Sequence, residues 1–414
     1  MLFRNVKALL ACALVGSTLA APTTISKIGS SSDLVKRDAV LSPWVMIISM
    51  FSPEREVWLE PLGLEVDIEF AGASPLFPYV SCDRRRTTCI VTTGEAEINA
   101  AATIMALTLS PHFNLTSTYF LIAGIAGVNP QHGTLGTAAF ARFSVQAGLA
   151  YELDARQMPS NWSTGYWALG TSQPGQLPAT SDLYGTEERN GLEFLLRDRG
   201  QLVFELNTNL LDRVMNITKD VQLNDSTTAV EYRKKFSYAP ANQPPAVTQC
   251  DTVCSDVYFA GTLMSETWAN YSSLMTGGEA KYCMTAQEDN ATLEALVRAH
   301  KAGLVDYSRV ILLRTASDFD RAPNADDDAY TAFEASQGGF SPAIANLLLA
   351  GHPVVQDIEA NWYSVYQQGI APQAGFNGSY YGDDLGTIRS GVAQARRSRS
   401  RRSLIAAKVP SSST

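Results

Sequence analysis

Four short segments of this 414-residue chain carry side chains suited to acid–base or anion chemistry. Ser52-Pro53-Glu54-Arg55-Glu56 sets two carboxylates and a guanidinium side by side, and Ser317-Asp318-Phe319-Asp320 offers two more carboxylates. Thr92-Thr93-Gly94 supplies hydroxyls at a glycine-opened turn, and Gly124-Ile125-Ala126-Gly127 forms a bend where backbone can approach a ligand. Carboxylates in different surroundings can divide the roles of general acid and general base. Hydroxyls and N–H groups at a glycine turn can hold water or an anion. Singly, each signal is weak, because Asp after a strand commonly caps a helix and Gly-x-x-Gly is commonly a turn. A metal site is disfavoured: the chain has four His, none near its cysteines.

An open α/β sheet would bring the four together, since its ligands sit beyond the carboxyl ends of the strands. Each segment follows a run of strand length, at residues 45–50 (VMIISM), 89–93 (CIVTT), 118–122 and 309–315 (RVILLRT). Residues 54–62 and 98–109 have helical spacing, and 137–145 is strand-like. Strand, turn, helix, strand in this order predicts an α/β fold with helices on both faces of the sheet. Residues 158–245, rich in Pro, Asn, Gly and Trp, with one helical stretch at 229–236, read as an elaboration of loops and short helices rather than a second domain. The alternation resumes with a strand-like turn at 254–259, a helix at 287–300, and helices at 342–350 and 361–368. No internal repeat is visible.

The composition, 45% apolar and 18% charged with net charge −9, is that of a globular protein and excludes collagenous, coiled-coil and largely disordered chains. The longest apolar run after the leader, residues 119–128, is about half of the ~20 residues a membrane helix needs. The acidic balance disfavours nucleic-acid binding, which requires a basic surface. Arg4 and Lys7, an apolar stretch at 8–15 and small residues at 17–21 form a secretory signal peptide, assigned to residues 1–20. Residues 21–37 are propeptide-like and end in Lys36-Arg37. The folded domain is assigned to 38–388 and a basic disordered tail to 389–414, which holds Arg389, Arg396, Arg397, Arg399, Arg401, Arg402 and Lys408 with no acid. The expected location is therefore outside the cell or at its surface. Glycan-acceptor sequons at Asn114, Asn161, Asn216, Asn224, Asn270, Asn290 and Asn377 suit that route. Cys82 and Cys89 bracket a polar turn that a disulfide could staple; Cys250 could pair with Cys254, or one of these with Cys283.

Thr93-Gly94 with Asn99-Ala100-Ala101, the bend at 123–127 and Arg314-Thr315-Ala316-Ser317-Asp318 together resemble the nucleoside phosphorylase and nucleosidase superfamily. More specifically, IISMFSPEREVW (47–58), TGEAEINAAATI (93–104), TYFLIAGIAGVNP (118–130), MPSNWSTGYW (158–167), CMTAQEDNATLEAL (283–296) and RTASDFDRAP (314–323) are similar to the fungal purine nucleoside permease family. The resemblance covers residues 43–386, and the basic tail departs from it. It implies a three-layer αβα nucleoside-phosphorylase-like fold with a central mostly parallel or mixed sheet and loop-rich insertions.

The resemblance also implies roles. Asp318 would protonate or hydrogen-bond N7 of a purine leaving group, Glu288 would accept the ribose hydroxyls, and Tyr258 would stack on the base. Glu56 would activate water, with Thr93 and Gly94 holding water or an anion and Arg55 available to a phosphate. No cofactor is implied, while phosphate stays open as a co-substrate. The implied function is cleavage of the N-glycosidic bond of purine nucleosides, with hydrolysis favoured over phosphorolysis by Glu56. The alternative is a non-catalytic nucleoside transport component acting with a membrane partner. A homo-oligomer stays open.

Overall fold

The computed structural model describes residues 40–168, 171–176, 203–373 and 376. The expected leader, propeptide-like segment and basic tail, with the sequon at Asn377, lie outside them. β1 (Val45–Ser49) is buried throughout, and its side chains divide by parity. Val45 and Ile47 enter one hydrophobic core, Met46 and Ile48 the other. Burial on both faces explains why this strand reads as an unbroken apolar run.

Down the chain, α1 (Ser52–Leu62) carries Pro53 in its first turn, where no N–H is needed, and stops at Gly63 with φ +60°. β2 (Val66–Ser74), β3 (Phe77–Cys82) and β4 (Thr88–Thr92) form an antiparallel meander, stapled between its last two strands by the Cys82–Cys89 disulfide. α2 (Glu97–Leu109), β5 (Tyr119–Val128), β6 (Ala138–Phe140) and β7 (Phe143–Gln146) follow. Next come a small hairpin of β8 (Ala150–Glu152) and β9 (Tyr166–Ala168), then β10 (Val203–Glu205), α3 (Thr208–Thr218) and α4 (Thr227–Arg233). β11 (Val247–Gln249), β12 (Asp251–Cys254), α5 (Thr262–Thr276), β13 (Tyr282–Ala286) and α6 (Asp289–Lys301) lead to β14 (Val310–Phe319), α7 (Asp328–Phe333) and the long α8 (Phe340–Ala360).

β1 pairs in parallel with β4 and β5, and β14 pairs in parallel with β5, so the carboxyl ends of four strands open on one side. The register sets Ser49 beside Thr92 and Arg314 beside Gly124. β12 lies parallel to β13, which meets β5 antiparallel at Met284 and Val128. The antiparallel pairs β2–β3, β3–β4, β6–β14 and β7–β10 make the sheet mixed. Ile104 and Leu107 of α2 and Leu293 and Leu296 of α6 pack on one face, with Met46, Ile48, Val91, Phe120 and Ile122. Trp58 of α1, Leu210 of α3, and Leu347 and Val354 of α8 pack on the other, with Val45, Ile47, Ile90 and Leu121. The architecture is therefore αβα in three layers, as expected from the strand–helix alternation.

Several local expectations are corrected. The strand expected at 137–145 is two strands, β6 and β7, because the two halves pair with different neighbours. The strand-like turn at 254–259 is loop beyond Cys254, where β12 ends. The helix expected at 342–350 runs as α8 from Phe340 to Ala360, through Pro353. Of the cysteine pairings left open, the structure has Cys250 with Cys283, which leaves Cys254 as a buried free thiol among the described residues.

Candidate active site

A cavity of about 270 Å³ opens where the parallel strands end, and Glu54, Tyr258, Glu288, Arg314, Asp318 and Phe340 are among the residues that line it. Glu54 sits in the first turn of α1. Its Oε2 accepts the Met50 N–H at 2.8 Å, and its Oε1 accepts the Ile125 N–H at 2.7 Å. Burial pushes its pKa up to about 7, against the opposing pull of Arg314 and of these two N–H groups. Gly124 makes the approach feasible: a Cβ there would lie 2.5 Å from Arg314 Nη1 and 2.9 Å from Glu54 Oε1.

Arg314 leaves β14 beside that glycine and is buried. Its Nη2 donates to Glu288 Oε2 at 3.0 Å, its Nε to Asp289 Oδ1 at 3.0 Å and its Nη1 to the Ile125 carbonyl at 3.0 Å. Glu288, just before α6, accepts the Ala96 N–H at 3.1 Å with its other oxygen. Burial raises the Glu288 pKa and the Arg314 charge opposes the rise.

Further along β14, the ladder with β5 slips between Ala316 and Asp318, a bulge that lets Ser317 and Asp318 both reach the cavity. Asp318 Oδ1 accepts the Ser317 hydroxyl at 2.5 Å, and Oδ2 accepts the Tyr258 hydroxyl at 2.9 Å. Burial raises the Asp318 pKa, with these two hydrogen bonds acting the other way. Tyr258 stands on the half-exposed loop after β12, its phenol pKa raised by burial and by the neighbouring Asp318.

The remaining expected residues fall elsewhere. Glu56 is exposed, because two residues along a helix is about 200° of rotation from the buried Glu54. Arg55 donates from Nη2 to Ser81 Oγ at 2.7 Å, toward β3 and away from the cavity. Neither lines the cavity, so the water-activating role expected for Glu56 and the phosphate contact expected for Arg55 have no support from its lining. Thr93 turns its hydroxyl onto the Gly94 carbonyl at 2.8 Å, and Gly94, at φ +86°, shapes the turn; neither lines the cavity. The carboxylate that does face in is Glu54. Trp58, one helical turn on and also buried, was the available signal for that phase.

The free N–H groups at the start of α2 would ordinarily attract an anion. Here the Ala96 N–H is bonded to Glu288, and the Glu97 N–H to Asp256 Oδ1 at 2.7 Å. Ala96 itself adopts φ +77°, ψ 157°, a conformation that belongs almost to glycine alone. No group of three or more His, Cys, Asp and Glu able to hold a metal occurs among the described residues.

Comparison with known proteins adds the following. The family model described as purine nucleoside permease matches residues 42–371. A purine nucleoside permease of Candida albicans is 41% identical over 354 residues, covering 84% of this chain and 82% of that protein. A probable purine nucleoside permease of Schizosaccharomyces pombe is 38% identical over 351 residues, 84% of this chain and 97% of its own length. Among solved structures, 5'-methylthioadenosine/S-adenosylhomocysteine nucleosidase from Neisseria meningitidis aligns at 13% identity with TM-score 0.43, over 77% of this chain and 100% of that one. Futalosine hydrolase of Helicobacter pylori aligns at 13% identity with TM-score 0.44, over 77% and 98%.

Proposed function

The chain belongs to the purine nucleoside permease family, and from that premise we propose that it binds purine nucleosides outside the cell or at its surface and cleaves their N-glycosidic bond with water. The observation that carries this reading is the set of three carboxylates in one cavity, Glu54 and Glu288 buried and Asp318 half-buried, each in different surroundings. Glu54, poised near neutrality, takes a proton from water as it adds to the anomeric carbon. Asp318, its pKa raised by burial, gives a proton to the departing purine. Glu288 accepts the ribose hydroxyls and, as an anion beside Arg314, stabilises the positive charge that develops on the sugar. Nucleoside and water thus become base and ribose, with one proton taken at Glu54 and one given at Asp318.

Water is favoured over phosphate because the seats that would hold a phosphate are taken. The first N–H groups of α2 bond to Glu288 and Asp256, and Arg55 points to Ser81. The relatives' names favour a second reading, a nucleoside-binding transport component. No helix among the described residues is long and apolar enough to cross a membrane, so that role would call on a membrane partner.

Incubation of the purified protein with inosine and adenosine, with and without phosphate, separates the two. Free base without phosphate is the expected result. Base formed only with phosphate would overturn the role of water, and tight binding without any base would leave the transport reading. Asp318→Asn should abolish cleavage while sparing binding.

A further inference from the structure

We infer that Tyr258 is a positioning residue that competes with the purine for Asp318: its phenol holds a carboxylate oxygen that N7 would need, so base and phenol exchange places and the exchange brings a proton onto Asp318. The inference rests on the proposed nucleoside site and deepens it.

Asp318 has two oxygens to offer. Oδ1 is engaged along its own strand by Ser317 Oγ at 2.5 Å, and Oδ2 accepts the Tyr258 hydroxyl at 2.9 Å from the loop after β12. Tyr258 is half-exposed, between an exposed Val257 and a Phe259 packed with Trp268 in a hydrophobic core. The phenol can therefore swing without disturbing that anchor. Two hydroxyl donors favour the ionised carboxylate, whereas N7 is an acceptor and needs a proton between itself and Asp318. Ser317 can serve both states. Its hydroxyl has one hydrogen and two acceptors in reach, Asp318 Oδ1 and the Ala126 carbonyl at 3.0 Å. It donates to the carboxylate, or turns to Ala126 and accepts from the acid. The proton comes from solvent, because burial and the Asp318 charge keep the Tyr258 phenol protonated. One O–H bond thus forms on Asp318, while the phenol exchanges Asp318 for water. Asp320 is the other charge facing both groups. It is committed to Arg321 Nε at 2.9 Å and the Tyr282 hydroxyl at 2.6 Å. Elsewhere in the cavity, Arg314 is bonded to Glu288 and Asp289, and Glu54 to backbone N–H groups.

The test is calorimetric binding of inosine at pH 7.5 in Hepes and in Tris, whose different ionisation enthalpies reveal proton uptake. A Glu54→Gln background keeps inosine uncleaved and removes that group's own titration. The expected uptake is about 0.5 to 1 proton per inosine, and none with 7-deazainosine, which has a C–H in place of N7. Adding Tyr258→Phe should cut the uptake by about half or more, since Asp318 then starts out more protonated. It should also tighten inosine binding by about 5-fold, the worth of one ordinary hydrogen bond. A Tyr258 with a merely structural role would leave the uptake unchanged. Equal uptake with and without the phenol hydroxyl, or weaker binding in Tyr258→Phe, would overturn the inference, as would uptake with 7-deazainosine. Uptake that depends on Tyr258, with no base released by the parent protein, would sustain the inference and sink the hydrolytic reading. Failure of inosine to bind would sink both.

Discussion

Glu54 and Glu56 lie in the same quoted motif, and only helical phase separates the buried carboxylate from the exposed one. A motif aligned by letters gives the right segment without saying which side chain turns inward. Asp318 and Glu288 were easier to place, since one lies at the carboxyl end of β14 and the other two residues past the end of β13. At Glu54 the proposed chemistry makes a direct prediction. Glu54→Gln should lower base release by about 10³-fold, while Glu56→Gln should leave it within about 2-fold, as measured by steady-state kinetics. In the parent, kcat/KM should rise with pH through about 7 as Glu54 ionises. Folding stability should run the opposite way. Between the ordinary value of 4.5 and about 7 the unfolded chain releases a proton that the folded chain keeps, so stability falls as pH rises across that window. Urea unfolding at pH 5 and pH 8 should show this fall, and Glu54→Gln should remove part of it, at most about 3 kcal/mol.

The strands β1, β5 and β14 were legible because burial on both faces leaves each a continuous apolar run, residues 45–48, 119–128 and 310–313. β2 is half-exposed and mixes Asp and Glu with apolar residues, so its run carried no such signal. The α2 turn was legible as a glycine turn, but not the strain at Ala96, which depends on how the helix meets Glu288. Ala96→Gly should relieve that strain and raise the urea midpoint by an amount equivalent to about 1 kcal/mol, after the entropic cost of glycine. The two disulfides close loops of unequal length, with separations of 7 and 33 residues. Loop-closure entropy then predicts a loss of about 2 kcal/mol for Cys82→Ser with Cys89→Ser, and about 4 kcal/mol for Cys250→Ser with Cys283→Ser. Equilibrium unfolding of the two double variants would show equal losses if closure entropy were not the dominant cause.

For the molecule as a whole, the sequons provide the most direct check on the proposed export. Asn114, Asn161, Asn216, Asn224 and Asn270 are exposed, whereas Asn290 is buried in α6 with its Oδ1 bonded to Ser144 Oγ. Glycopeptide mass spectrometry of the exported protein should find glycans among the exposed five and none at Asn290, because a sugar there could not coexist with the packed helix. Sequence composition foretold an acidic globular body, but not that its acids would gather around the cavity mouth and occupy the helix terminus beside it. That occupied terminus has a consequence for direction. A phosphate acceptor would let the sugar product rejoin a base and regenerate the nucleoside. With water as the acceptor the return path is thermodynamically remote, because solvent vastly outnumbers either product. The α2 terminus, closed by the chain's own carboxylates, would thus work as a ratchet, drawing nucleoside steadily toward free base with no gradient of its own.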